Sequence, residues 1–176
     1  MLNIGNVFIL GDSYSTFEGC IPQSYHSWYF TEPKNNTDVT NKAQTWWYKL
    51  TENTDSVLIR NESYSGTTIC NTGYEGSYCP ETSFIGRFDR LCGEGFFKEN
   101  TVDTFFVFGG TNDSWANSPV GEVKTENLDC ESLKSTLPAF SYLLKAIKKN
   151  LPKADTVVII NNAEIKEEIT NGIVKL

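Results

Sequence analysis

Four short runs rich in β-branched and aromatic residues, each closed by polar turn residues, constrain this chain most: Val7 to Leu10, Val57 to Arg60, Thr104 to Phe108 and Thr156 to Asn161. Runs of this length and composition read as buried strands. Helical spacing lies between them. Leu133, Leu137, Phe140, Leu144, Ile147 and Leu151 recur every three or four residues, with Pro138 in or near the first turn, and shorter helices are expected over Gln44 to Leu50 and Ser83 to Leu91. Strands alternating with helices predict an α/β fold with a flavodoxin-like parallel sheet and helices on both faces, in three layers. The length of 176 residues fits a single domain.

Two long connections, Thr16 to Ala43 and Gly66 to Thr82, are rich in Gly, Ser, Asn and aromatic residues, the composition and length of functional loops. The tail from Glu164 to Leu176 reads as a helix start followed by Asn171-Gly172, with no further strand.

Charge and cysteine usage remove several function classes. The net charge is −7 with one short lysine group (Lys145, Lys148, Lys149), so nucleic acid is not an expected partner. Five cysteines without CxxC spacing and one histidine, His26, do not make a zinc site, and no cofactor or metal is called for. Cys70 and Cys79 flank a Gly/Tyr-rich loop, but buried free thiols are the preferred reading. No apolar run has the length of a membrane span, and Met1-Leu2-Asn3 does not open a signal peptide; the compartment is left open.

The chemistry gathers at the carboxyl ends of the first three strands, where open α/β sheets bind their ligands. Gly11-Asp12-Ser13-Tyr14-Ser15 follows the first, Asn61-Glu62-Ser63-Tyr64-Ser65-Gly66 the second, and Gly109-Gly110-Thr111-Asn112-Asp113 the third. Adjacent parallel strands would bring Ser13, the Gly66 N–H and the Asn112 amide to one crevice, an oxyanion hole in outline. The plain alternative is that Asp12, Ser13 and Asn112-Asp113 cap helices and Gly66 permits a turn.

In their order, these three segments resemble the blocks of the SGNH hydrolases, the GDSL-type esterases and lipases, with Tyr14 in place of the usual leucine. The resemblance covers roughly Val7 to Asn162. It implies that Ser13 is a nucleophile, that its own N–H, Gly66 and Asn112 donate to the oxyanion, and that a small carboxylic ester is hydrolysed through an acyl-enzyme. Its substrate would be a short-chain acyl ester or an acetylated carbohydrate. The family's last block, an Asp-x-x-His that supplies the base, has no counterpart, since no histidine follows His26. The expectation is therefore a chain lacking a carboxyl-terminal strand and helix, nearly inactive in this form; the alternative is an SGNH pseudo-hydrolase that binds without turnover.

His26 is expected to pack beside loop aromatics rather than to serve as the base, and Asp113 to orient the turn around Asn112. Trp115 and Asp12 are expected near substrate. The remaining aromatics, Trp28, Tyr29, Phe30, Trp46, Trp47, Tyr74 and Tyr78, are expected to rim the crevice or pack the loops, the latter favoured for any one of them. A rival of another class is a flavodoxin-like FMN-binding module in which Ser13, Ser15 and Thr16 cradle the phosphate.

Overall fold

The computed structural model describes residues 2–32 and 34–176. Pro33, inside the first long connection, and Met1 lie outside the described residues. Contacts divide the chain into two compact units, each discontinuous: Met1–Gly66, Asn100–Phe108 and Lys153–Val158 form one, and Thr67–Glu99, Gly109–Pro152 and Ile159–Leu176 form the other.

The first unit is built on the expected sheet. Strands β1 (Asn3–Gly11), β2 (Asp55–Asn61), β3 (Thr104–Phe108) and β4 (Asp155–Ile159) lie in the order β2-β1-β3-β4. β1 pairs in parallel with both β2 and β3, which makes it an interior strand. That position explains its composition: Val7, Phe8, Ile9 and Leu10 are all fully buried, and a strand covered on both faces has no polar face to alternate with. Phe8 stacks on Phe105 of β3 with centroids 4.7 Å apart. Each such side chain contributes about 1.5–3 kcal/mol by leaving water. Helix α1 (Trp46–Asn53) packs against β2, with Thr45 as its N-cap.

β1 begins four residues before its apolar run, because backbone partners extend it where side chains give no signal. Asp55 N–H donates to Leu2 C=O at 2.9 Å, and Asp103 N–H donates to Asn6 C=O at 2.9 Å. β4 is shorter than expected and stops at Ile159, since the Asn161 carbonyl accepts from the Glu164 and Ile165 N–H groups and turns the chain.

The second unit is helical. It contains α2 (Phe84–Gly93), α3 (Phe96–Glu99), α4 (Thr111–Trp115), α5 (Thr136–Asn150) and α6 (Glu167–Ile173). α5 packs on α2 and on α6, burying Phe84, Phe88, Leu137, Phe140, Leu143 and Ile147. Pro138 sits in the first turn of α5, where its missing N–H costs nothing. α6 runs through Asn171-Gly172 and ends at Ile173. The glycine is there for space: a Cβ at Gly172 would lie 2.4 Å from a Leu137 methyl. Among the described residues, no helix is long and apolar enough to cross a membrane.

Candidate active site

In the first unit, β1 runs out at Gly11 and the chain tightens into a 3-10 turn over Ser13–Ser15. Asp12 caps it: the carboxylate Oδ1 accepts from Tyr14 N–H at 3.1 Å, while Asp12 N–H donates to Phe108 C=O at 3.2 Å. Asp12 is fully buried, so its observed work is to hold the turn. The turn is fastened from behind as well, by Asn61 Nδ2 donating to Ser15 C=O at 2.8 Å and Trp46 Nε1 to Ser15 Oγ at 3.0 Å. Ser13 itself is half-buried, and neither its N–H nor its hydroxyl has a hydrogen-bond partner among the described residues.

Gly66 closes the segment after β2. Its φ of +80° lies in the left-handed region, which an L side chain enters at a cost of about 1–2 kcal/mol. An added Cβ would meet nothing within 4 Å, so conformation selects this glycine, not crowding. Its N–H also lacks a partner among the described residues. The residue before it is anchored: Ser65 N–H donates to His26 C=O at 3.0 Å. His26 stacks on Tyr64 at 5.6 Å and 7°, and Tyr25 stacks on the same ring at 4.5 Å. The His26 imidazole makes no hydrogen bond among the described residues, and the Tyr64 stack is the contact that fits its reading as a residue packed beside loop aromatics.

In the second unit, Asn112 and Trp115 lie one helical turn apart on α4, which follows Gly110 at φ +102°. The Asn112 amide is held at both ends. Its Nδ2 donates to Thr67 C=O at 3.1 Å, and its Oδ1 accepts from the Tyr74 hydroxyl at 2.8 Å. Thr67 is fixed in turn by Arg87, whose Nη2 donates to Thr67 Oγ1 at 3.0 Å and whose Nε donates to Thr82 C=O at 2.9 Å. The neighbouring Asp113 is fully buried and accepts from Ile69 N–H at 2.9 Å, Cys70 N–H at 3.3 Å and Thr136 Oγ1 at 3.2 Å. Burial pushes its pKa up, and these hydrogen bonds oppose the shift only in part. Asp113 is thus a clasp for the segment at 69–70, in keeping with an orienting role.

The expected aromatic rim divides. Trp46 and Trp47 turn inward, Trp46 packing on Phe106 and Phe108. Trp28, Tyr74, Tyr78 and Trp115 remain 40%, 43%, 60% and 56% exposed. All five thiols are free, and burial together with Asp113 pushes Cys70 up to about 12. Among the described residues, no group of three or more His, Cys, Asp or Glu could hold a metal ion.

A family model described as GDSL-like Lipase/Acylhydrolase matches residues 5–176. The chain belongs to the GDSL-like lipase/acylhydrolase family. It is similar to a candidate GDSL-like lipase from Bacteroides ovatus ATCC 8483, with 39% identity and a TM-score of 0.89 over 99% of this chain and 80% of that one. A second candidate GDSL-like lipase, from Bacteroides uniformis ATCC 8492, gives 41% identity and a TM-score of 0.87 over 97% and 76%. A family two carbohydrate esterase from Clostridium thermocellum, solved with cellohexaose, shares the fold at 14% identity, with a TM-score of 0.57 over 99% of this chain and 49% of that one. Among curated proteins, no match to the chain is found. The protein is a hydrolase with an α/β fold.

Two features of this GDSL-like chain escape sequence reasoning. The first is the pairing of Tyr74 with Asn112, two residues 38 positions apart; a Gly73-Tyr74-Glu75-Gly76 turn signals a loop but not what it touches. The second is Arg87, which helical spacing puts beside Phe84 and which the structure buries completely over that ring, 4.6 Å from its centroid. An arginine carries no signal of burial in a single sequence.

Proposed function

We propose that this GDSL-like hydrolase is a serine esterase acting on a small carboxylic ester. Ser13 is the nucleophile, and the Ser13 N–H, the Gly66 N–H and the Asn112 amide receive the oxyanion. The observation that carries this reading is an unused donor at each of the three residues: neither backbone N–H has an acceptor among the described residues, and Asn112 Nδ2 commits only one of its two protons. Asn112 is buried and Ser13 half-buried, where donors are seldom left without an acceptor, and idle donors at the three family positions suit a developing negative charge.

In the proposed reaction, Ser13 Oγ forms a bond to the ester carbonyl carbon. The carbonyl electrons move to the oxygen and return as the C–O bond to the alcohol breaks, and the alcohol departs with the serine proton. Water then attacks the acyl-enzyme, restoring the Ser13 hydroxyl and releasing the acid. Asp12 holds the turn that carries Ser13, and Trp115 offers an exposed ring to substrate.

For the alcohol portion, we favour an acylated carbohydrate over a plain short-chain ester. A cavity of about 450 Å³ in the first unit is walled by Glu18, Gln23, Tyr25, His26, Ser27 and Phe30. Flat rings interleaved with a carboxylate, an amide and a hydroxyl suit a sugar face and its hydroxyls. The assignment is tested by comparing an acetylated oligosaccharide with p-nitrophenyl acetate. Hydrolysis of both should be slow, since no histidine follows His26 to serve as base, and should depend on Ser13, with kcat/KM higher for the sugar ester; Ser13-independent turnover would overturn the esterase, and equal kcat/KM the preference.

A further inference from the structure

Resting on the assignment of Asn112 as an oxyanion donor, the geometry points to Tyr74 as the residue that positions it, by accepting no role of its own in the chemistry and fixing which way the Asn112 amide faces. A primary amide can turn over by half a rotation and present either its oxygen or its NH₂ to a given partner. Here the alternatives are unequal. The Thr67 carbonyl is an acceptor only, so it demands the Nδ2 side; Oδ1 is thereby aimed at the Tyr74 hydroxyl, which must donate, at 2.8 Å. With both ends occupied, the amide plane is set, and the second Nδ2 proton is the one group of the side chain left to meet a ligand. Donation to Oδ1 also draws electron density from nitrogen and makes that remaining N–H a better donor.

The loop carrying Tyr74 is built as a rigid mount. Gly73 N–H donates to Ser77 C=O at 2.8 Å, and Thr72 and Tyr78 pair as an antiparallel bridge. Between them, Glu75 takes a left-handed conformation at φ 56°, a state that a non-glycine residue keeps only where its surroundings impose it. The base of this hairpin is fastened three times: Thr72 Oγ1 donates to Lys134 C=O at 2.8 Å, Ser118 Oγ to Thr72 C=O at 2.7 Å, and Ser83 Oγ to Asn71 Oδ1 at 2.8 Å. A half-exposed tyrosine at a loop tip needs no such support for packing. Aiming a hydroxyl does.

Tyr74→Phe removes only the hydroxyl, so it tests the idea without threatening the fold. The first readout is the NMR signature of the Asn112 side-chain amide in the 176-residue chain. The parent should show two resolved protons slow to exchange, and Tyr74→Phe should broaden them or speed their exchange while the melting temperature stays put. The second is the rate at which ethoxyphosphonofluoridate labels Ser13. Tyr74→Phe should slow it by about three- to tenfold in the parent, and change nothing in an Asn112→Ala background, because its effect passes through Asn112 alone. Unchanged amide signals, an unchanged rate in the parent, or an equal loss in both backgrounds would overturn the role of Tyr74. If Asn112→Ala itself labels at the parent rate, it is the oxyanion assignment that falls, and the role of Tyr74 with it.

Discussion

The turn after β1 and the turn after β3 begin alike, each a glycine-led exit from a buried strand, yet they are held in opposite ways. Around Ser13 the fixings are to the backbone and to neighbours: Asp12 caps the turn, Asn61 and Trp46 grip Ser15, and the serine hydroxyl has no hydrogen-bond partner among the described residues. Around Asn112 the side chain proposed as the donor is itself gripped, by Thr67 and Tyr74, and its neighbour Asp113 takes three further hydrogen bonds. The contrast suits the role proposed for each group. A nucleophile must change bonding partners during the reaction, whereas an oxyanion donor stabilises charge best when it is already in place and has nothing to reorganise.

That contrast breaks first at Ser13. Ser13→Ala should remove fluorophosphonate labelling entirely while leaving the denaturation midpoint where it was; a residual adduct on another residue would move the nucleophile elsewhere. Asn112→Ala comes next, with an expected loss of about 10²–10³ in labelling rate, checked by stopped-time mass spectrometry; a loss no larger than that of an arbitrary α4 substitution would make the gripped amide a helix cap and nothing more.

Asp113→Ala should act on stability. It strands two backbone N–H groups and the Thr136 hydroxyl, and about 3 kcal/mol is expected in urea unfolding. Because burial raises the Asp113 pKa, the folded state favours the protonated carboxyl. Its contribution is therefore complete below the ordinary pKa of 3.8 and shrinks as pH rises through the elevated one, so the gap between parent and Asp113→Ala should narrow with rising pH. A gap that widens would show Asp113 to be held as a stabilised carboxylate. Gly66→Ala should cost less, about 1–2 kcal/mol, from its left-handed φ alone, since there is room for the methyl group; no loss would mean that the segment relaxes freely and the Gly66 N–H is not held in position.

How much of this was legible in the sequence follows from the range of each interaction. Strands declared themselves where burial on both faces wrote a continuous apolar run, as at Val7 to Leu10; the Asn3 to Asn6 half of β1 did not, because its pairing runs through the backbones of Asp55 and Asp103. That Ser13, Gly66 and Asn112 each follow a strand could be read from local pattern. Tyr74 and Arg87 could not. Their partners lie in other loops, and the same residues in a sequence look like surface aromatics and a solvated helix charge. Gly172 is a related case: only the Leu137 side chain, which a Cβ there would strike, shows why the position takes glycine.

The most direct measurement is peptide mapping of the protein after exposure to a fluorophosphonate, in which Ser13 Oγ would bond to phosphorus as fluoride leaves with the serine proton. A single adduct on the peptide carrying Gly11-Asp12-Ser13, absent from Ser13→Ala and slowed in Asn112→Ala, is the predicted result. No adduct, or one that forms as fast without the Asn112 amide, would contradict it.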